Sequence, residues 1–158
     1  MFIQQLVGAL TTANVAYCVV GGVAVNLHGV PRMTYDIDIM VATDQANLAA
    51  CHQLLTELGL QIRLPIALVD AADRTLAVQW EQERNLIAIT YSDPSNPLRE
   101  VDILIAPSLD PDGVVARSVR VGAGVRVAAV ADLIALKRRA NRTQDLADIA
   151  HLERLAAI

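Results

Sequence analysis

The stretch 36–41 alternates acidic and apolar residues, and this alternation is the strongest constraint that the sequence places on the fold. Successive side chains of a β-strand point to opposite faces, so Asp36 and Asp38 share one face while Ile37 and Ile39 share the other. The apolar face is expected to pack into a core, which leaves two carboxylates about 7 Å apart on the opposite face. The pattern therefore predicts a strand with core packing on one side and a cluster of negative charge on the other.

A second stretch, 99–105, repeats this design, with apolar residues alternating against Asp102. If the two strands are neighbours, Asp102 joins Asp36 and Asp38. Hard divalent cations prefer oxygen ligands, and two such ions about 3.5–4 Å apart stabilise the attacking and leaving oxygens of phosphoryl transfer. The three carboxylates are therefore a candidate metal site, although two aspartates on one strand are also typical of a solvated sheet edge.

Composition excludes several classes of protein. The chain has 158 residues, of which 54% are hydrophobic, so it fits one domain with a proper core and is too apolar for intrinsic disorder. A formal net charge of −4 is not typical of nucleic-acid binding. The longest apolar run, 15–25, contains two glycines and is shorter than the ~20 residues that span a bilayer. Without a basic leader at its start the chain is expected to be cytoplasmic, with Cys18 and Cys51 as buried thiols.

Periodicity and turn residues predict a mixture of helices and strands, with 60–84 unassigned. Helices are predicted over 2–14, 23–30, 45–58, 131–140 and 143–155. Strands are predicted over 16–20, 36–41, 85–91 and 99–105, with a loop over 92–97 and short elements over 110–129. Strands and helices in this order predict an α+β or α/β sheet packed on helices.

Gly21 and Gly22 lie between the first predicted strand and a short helix. Glycine permits a tight turn and close approach of the backbone, and the free N–H groups at a helix start can bind a phosphate. In isolation, a plain Gly-Gly turn is the more common interpretation. The whole pattern is more specific for a fold than the glycines alone. It consists of a strand, Gly-Gly, a helix, the Asp-x-Asp strand and a later strand with a third aspartate.

The segments VVGGVAVNLHGVPRMTYDIDIMV and REVDILI resemble the nucleotidyltransferase fold of the DNA polymerase β superfamily. With the tail VADLIALKRRANRTQDLADIAHL, the chain is similar to the small bacterial nucleotidyltransferases grouped with the AbiEii-type toxins. The resemblance leaves about 60–84 unmatched. It implies an α+β nucleotidyltransferase fold in a single domain, a mixed β-sheet flanked by helices. Residues 1–105 would form the core with the carboxylate site, and 106–158 a C-terminal helical part.

The resemblance also implies roles for the acidic strands and the glycine turn. Gly21 and Gly22 would hold the triphosphate of a nucleotide. Asp36, Asp38 and Asp102 would bind Mg²⁺ or Mn²⁺, and Asp102 would also act on the attacking hydroxyl. Many superfamily members carry a serine in place of the second glycine or after it, and its absence here removes one donor to the phosphates.

The C-terminal part is similar to the family in carrying a lysine on one helix and Asp-x-x-Asp on the next. Lys137, the only lysine of the chain, would face the triphosphate, and either Asp145 or Asp148 would match the aspartate of the last motif. Favourable charges at helix ends are the alternative explanation for all three. Arg32, four residues before Asp36, is a candidate phosphate clamp through its planar fork.

Together with the carboxylates, the resemblance implies Mg²⁺-dependent transfer of a nucleoside monophosphate from an NTP to an acceptor, with release of pyrophosphate. The acceptor would be an RNA such as tRNA, a protein or a small molecule, and the resemblance adds an antitoxin protein as a partner. The apolar composition makes a homo-oligomer plausible. One alternative is a degenerate member that binds a nucleotide or a partner without turnover, and another is metal-dependent hydrolysis of NTP.

Overall fold

A computed structural model describes residues 1–158 and contains seven strands and seven α-helices. The strands are β1 (Tyr17–Val20), β2 (Ile37–Val41), β3 (Gln61–Ile62), β4 (Ala88–Asp93), β5 (Asn96–Leu104), β6 (Val119–Val121) and β7 (Val125–Val127). The helices are α1 (Phe2–Thr12), α2 (Gly21–Leu27), α3 (Gln45–Glu57), α4 (Arg74–Arg84), α5 (Pro111–Arg117), α6 (Val130–Ala140) and α7 (Thr143–Ala156). Two short 3₁₀ turns lie at Leu68–Ala72 and Pro107–Leu109.

The seven strands form one mixed sheet in the order β3-β4-β5-β2-β1-β7-β6. Strand β2 is central, antiparallel to β1 and parallel to β5, and its register places Asp38 directly opposite Asp102. The two acidic strands are therefore neighbours. The predicted α+β architecture of a mixed sheet flanked by helices is confirmed.

The two faces of β2 and β5 differ as the alternation predicts. Ile39 and Ile103, which are opposite each other in the register, are fully buried in the core. Asp38 and Asp102, on the other face, are only partly buried. Burial of the apolar face thus determines the register, because a shift of one residue would move the carboxylates into the core.

The loop predicted over 92–97 is too long, because only two residues separate β4 from β5. The Asp93 carboxylate accepts hydrogen bonds from the Ser95 N–H at 2.8 Å and the Ser95 hydroxyl at 2.7 Å, and it pairs with Arg99 at 2.6 Å. These contacts close a tight hairpin.

The unassigned stretch 60–84 folds as β3, a 3₁₀ turn and α4.

The C-terminal part contains more than helices, since it also supplies β6 and β7 to the sheet. Strand β7 pairs in parallel with β1 through Val19 and Val127.

The first helix ends at Thr12, earlier than predicted, and Asn14 that follows has a positive φ of 55°.

Both cysteines are free and buried, as predicted. Desolvation by burial raises the pKa of Cys18 to about 12 and that of Cys51 to about 12. The thiols are therefore protonated and unreactive near neutral pH.

None of the seven helices combines the length and the apolar character needed to cross a membrane.

Asn47, in the first turn of α3, connects this helix to the segments that flank β1 and β2. Its side-chain oxygen accepts a hydrogen bond from the Ala16 N–H at 2.8 Å, and its amide donates to the carbonyls of Ala16 at 3.0 Å and Ala42 at 2.8 Å. We expect Asn47→Ala to lower the free energy of unfolding by about 2–3 kcal/mol, because three hydrogen bonds are lost together. Urea unfolding measures this change. Asn47→Asp keeps only the acceptor, so an Asp variant as stable as wild type would contradict a role for the donated bonds.

Candidate functional site

The three predicted carboxylates lie together in one cavity of about 480 Å³. Asp36 immediately precedes β2, Asp38 lies within β2, and Asp102 lies opposite it on β5. Gly21 lines the same cavity at the start of α2. The carboxylates thus meet because two parallel strands present alternate residues on one face of the sheet.

The same cavity is also lined by positively charged residues from the last two helices. Lys137 and Arg139 lie in the last turn of α6, and Arg142 directly precedes α7. Arg139 donates to the Ser108 carbonyl at 2.8 Å and to the Ser108 hydroxyl at 2.6 Å. Acids from the sheet and cations from the helices therefore line the same cavity.

Gly21 is required by the closeness of α2 to Asp38. Its φ of +68° is a conformation that residues with a Cβ rarely adopt. A Cβ at this position would overlap a carboxylate oxygen of Asp38 and lie 3.1 Å from its carboxyl carbon. Gly22 does not line the cavity; a Cβ there would lie 2.8 Å from the Thr34 hydroxyl and 3.1 Å from the guanidinium carbon of Arg32. The two glycines thus serve two different close approaches.

Thr90, which no motif of the sequence singles out, holds Asp102 in place. Thr90 is directly opposite Asp102 in the β4–β5 register, and its hydroxyl donates a hydrogen bond of 2.5 Å to the Asp102 carboxylate. One oxygen of Asp102 is thereby oriented by the neighbouring strand. The signal in the sequence is a threonine at an alternate position of a strand, which is informative only once the hairpin register is known.

Negative charge at the site is only partly compensated. Desolvation by burial raises the pKa of Asp38 to about 6, and repulsion from Asp102 and then Asp36 adds to this effect, against the attraction of Arg142 and Lys137. A cation between the carboxylates would relieve this repulsion, and the donor set consists of the oxygen ligands that Mg²⁺ and Mn²⁺ take. No group of three His, Cys, Asp or Glu side chains has the arrangement of a formed metal site, so metal binding here stays a prediction.

Lys137 is buried, with only 5% of its surface exposed. Its ammonium group lies 2.8 Å from a carboxylate oxygen of Asp148 and 3.3 Å from one of Asp145. Arg142 also pairs with Asp145 at 3.0 Å, and Arg32 pairs with Asp148. These five groups form a cluster with three positive and two negative charges, so the net charge of the cluster is positive.

The two candidate aspartates of α7 take different places in this cluster. Asp145 lines the cavity, whereas Asp148 is 1% exposed and does not line it. Desolvation alone would raise the pKa of Asp145, but hydrogen bonds from the Arg142 side chain and backbone and from Lys137 lower it below its ordinary value. Thr143 is the first residue of α7, while Arg142 holds the N-cap position and its backbone N–H donates to Asp145 at 3.0 Å.

Arg32, the candidate phosphate clamp, does not line the cavity. Its guanidinium pairs with Asp148, and its backbone N–H donates to the side chain of Asn26 at 3.0 Å. The Nε atom of Arg32 is buried without a hydrogen-bond partner. Arg32 thus connects the segment before β2 to α7 behind the wall of the cavity.

The raised pKa of Asp38 predicts that the metal-free protein loses stability as the pH rises from about 4 to 6. Between these values the folded protein holds a proton that the unfolded chain has already released, so the stabilisation present below about pH 4 is lost through pH 6. Asp38→Asn removes this dependence and is expected to raise the free energy of unfolding at pH 7 by up to about 3 kcal/mol. Urea unfolding in chelator from pH 4 to 7 tests it. Asp70→Asn, an exposed acid outside the cavity, is the control, and equal pH profiles for the two variants would contradict the expectation.

Comparison with known protein families agrees with this geometry. The family model described as AbiEii, nucleotidyl transferase AbiEii toxin, type IV TA system, matches residues 14–157. The match spans the glycine turn, both acidic strands and the two last helices, and it includes the stretch 60–84. No curated protein matches the chain. A family match over this share of the sequence shows that the chain belongs to the AbiEii nucleotidyl transferase toxins of type IV toxin–antitoxin systems.

Proposed function

We propose that the protein transfers a nucleoside monophosphate from an NTP to an acceptor and releases pyrophosphate, with Mg²⁺ or Mn²⁺ held by Asp36, Asp38 and Asp102. The observation that carries this proposal is the single cavity in which these carboxylates face Lys137 and Arg142. A metal bound to the carboxylates would neutralise phosphate charge and stabilise the attacking and leaving oxygens. The cations opposite would attract the triphosphate itself.

A second cavity of about 420 Å³ supports a separate place for the acceptor. Asp36 and Asp102 line both cavities, so they lie on the wall between them. The second cavity is lined by Tyr35, Leu98 and Glu100, among others, and by no lysine or arginine. We therefore assign the triphosphate to the cavity that contains the cations and the acceptor hydroxyl to the other.

In this arrangement Asp102 is the group placed to accept the proton of the acceptor hydroxyl. It reaches both cavities, and the hydrogen bond from Thr90 to one oxygen leaves the other available. The acceptor oxygen forms a bond to the α-phosphorus as the bond from that phosphorus to the pyrophosphate oxygen breaks. Most of the rate enhancement would come from positioning and charge neutralisation, as in other phosphoryl transfers.

The family gives this activity a biological setting, which we extend to the present chain. As a toxin, the protein would act in the cytoplasm, where NTPs and tRNA are available, and an antitoxin protein would oppose it. The acceptor would be tRNA or another RNA, a protein or a small molecule. A degenerate member would bind nucleotide in the same cavity without transferring it.

The test combines calorimetry with a transfer assay. Each of the four NTPs is titrated into the protein with Mg²⁺, with Mn²⁺ and with chelator, and each α-³²P-labelled NTP is then incubated with total RNA or cell protein. We expect metal-dependent binding and label transfer, both lost in Asp36→Asn/Asp38→Asn and kept in Asp70→Asn. Binding without transfer to any acceptor would favour the degenerate alternative. Label released as NMP without acceptor would favour hydrolysis, and no binding would contradict the proposal.

A further inference from the structure

Two arginines line a separate cavity at the far edge of the sheet. Arg120 on β6 and Arg126 on β7 are directly opposite each other in the antiparallel register, so both side chains lie on the same face. They line a cavity of about 480 Å³, equal in volume to the one at the carboxylates and within the usual range for ligand sites. Like charges directly opposite on neighbouring strands are destabilising, so the pairing needs an explanation.

Neither arginine has a carboxylate partner. Eight of the thirteen Lys and Arg side chains form ion pairs with acids, in a chain whose net charge is negative, but Arg120 and Arg126 do not. A charge on the edge strand β6 can protect the sheet from pairing with another chain. That explanation does not apply to Arg126, which lies on the inner strand β7 and is half-buried.

The rest of the cavity wall adds hydrogen-bond donors and no acid. Tyr17 is buried, and its hydroxyl accepts a hydrogen bond of 3.3 Å from the Arg126 backbone N–H while donating its own proton to no protein group. Arg126 also donates to the Ser118 carbonyl at 3.3 Å, which uses one of its five N–H donors. The guanidinium of Arg120 lies over Gly124, where a Cβ would be 3.9 Å from its Nη1 atom. The cavity therefore offers donors and positive charge, the chemistry that recognises an anion.

We propose that this cavity binds a phosphate group, with the guanidiniums of Arg120 and Arg126 as its two cationic contacts. The planar fork of a guanidinium suits phosphate, and two of them match its charge. The phosphate would belong to a free nucleotide or to an RNA backbone. The site lies beside Tyr17 at the start of β1. Gly21 follows the other end of that strand, four residues and about 13 Å from Tyr17. It is therefore independent of the carboxylates and of the proposed transfer.

The experiment titrates three probes, inorganic phosphate, ADP and a ten-nucleotide RNA, into the protein in the presence of chelator. Chelator removes metal-dependent binding at the carboxylates, and NMR signals of the Gly124 amide and the arginine side chains report on this cavity. We expect Arg120→Gln/Arg126→Gln to weaken binding at least tenfold. Arg74→Gln/Arg84→Gln removes the same charge from exposed, unpaired positions of α4 and is expected to change binding less than twofold.

Loss of fold does not obscure this test, because removing two opposed like charges is expected to leave the melting temperature unchanged or raise it. Tighter binding of the RNA than of ADP would assign the site to a polynucleotide backbone, and the reverse order to a free nucleotide. Equal weakening in both double variants would overturn the proposal. So would the absence of any shift at about 10 mM phosphate, ten times a millimolar Kd.

Discussion

Asp38→Asn is expected to lower nucleotide transfer by about 10³-fold while the variant stays folded and becomes more stable without metal at pH 7. The Asp38 carboxylate lies opposite Asp102 in the strand register and close to Gly21. Its loss would remove a proposed metal ligand and change the charge near the triphosphate. The measurement is the initial rate of label transfer from an α-³²P-labelled NTP at saturating Mg²⁺, with urea unfolding of the same preparations.

The opposite signs of these two effects distinguish a functional carboxylate from a structural one. Replacing a structural aspartate would lower both the stability and the activity of the protein. Asp38 differs, because its burial and its repulsion from neighbouring carboxylates destabilise the metal-free protein. Asp70→Asn controls for net charge and should change neither quantity. Transfer above a tenth of the wild-type rate in Asp38→Asn would contradict the assignment of Asp38 as a ligand.

Gly21→Ala is expected to impair both stability and nucleotide transfer, because it adds backbone strain and a steric overlap with Asp38. The variant would hold alanine at a φ of +68° and press its Cβ onto the Asp38 carboxylate, so Asp38 or the start of α2 must move. We expect a loss of about 2–4 kcal/mol in the free energy of unfolding, and a loss of transfer of about 10²-fold in the fraction that remains folded. Urea unfolding and the transfer assay, performed below the unfolding transition, measure the two effects.

Gly29→Ala is the matched control for the backbone conformation. Gly29 also has a positive φ, +95°, but a Cβ there would meet nothing within 4 Å. The free energy of unfolding of Gly29→Ala should therefore fall by only about 1–2 kcal/mol, the cost of placing alanine in a left-handed backbone conformation, and its transfer rate should not change. If Gly21→Ala and Gly29→Ala behave alike, backbone strain alone explains the result, and the contact with Asp38 is not the reason for glycine at position 21.

The acidic strands show why part of this site is predictable from sequence. Alternation over 36–41 and 99–105 places the carboxylates on one face, and burial of Ile39 and Ile103 then determines the register that brings Asp38 and Asp102 together. This information is local, because a period of two and the need to bury apolar surface are sufficient. The place of Gly21 beside the site follows from the same local order of strand, turn and helix.

Other parts of the site depend on contacts between distant segments. Arg32 and Asp148 are 116 residues apart, and nothing in either segment indicates that they pair. Thr90 contacts Asp102 only because β4 and β5 close a two-residue turn that the proline-containing stretch 92–97 obscures. Lys137 follows the pattern of a favourable charge at a helix end, and its burial becomes evident only when α7 packs against α6.

The burial of Lys137 has a practical consequence for amine chemistry on this protein. Because it is the only lysine and is enclosed by Asp145 and Asp148, the folded chain presents no accessible lysine side chain to an acylating reagent. Acylation at this position is therefore expected to be slow, because the reagent must either enter the cavity that Lys137 lines or wait for α6 and α7 to separate in a local opening of the native state. The rate at which Lys137 is acylated therefore measures access to this buried amine by either route, and mass spectrometry can follow it without any introduced label.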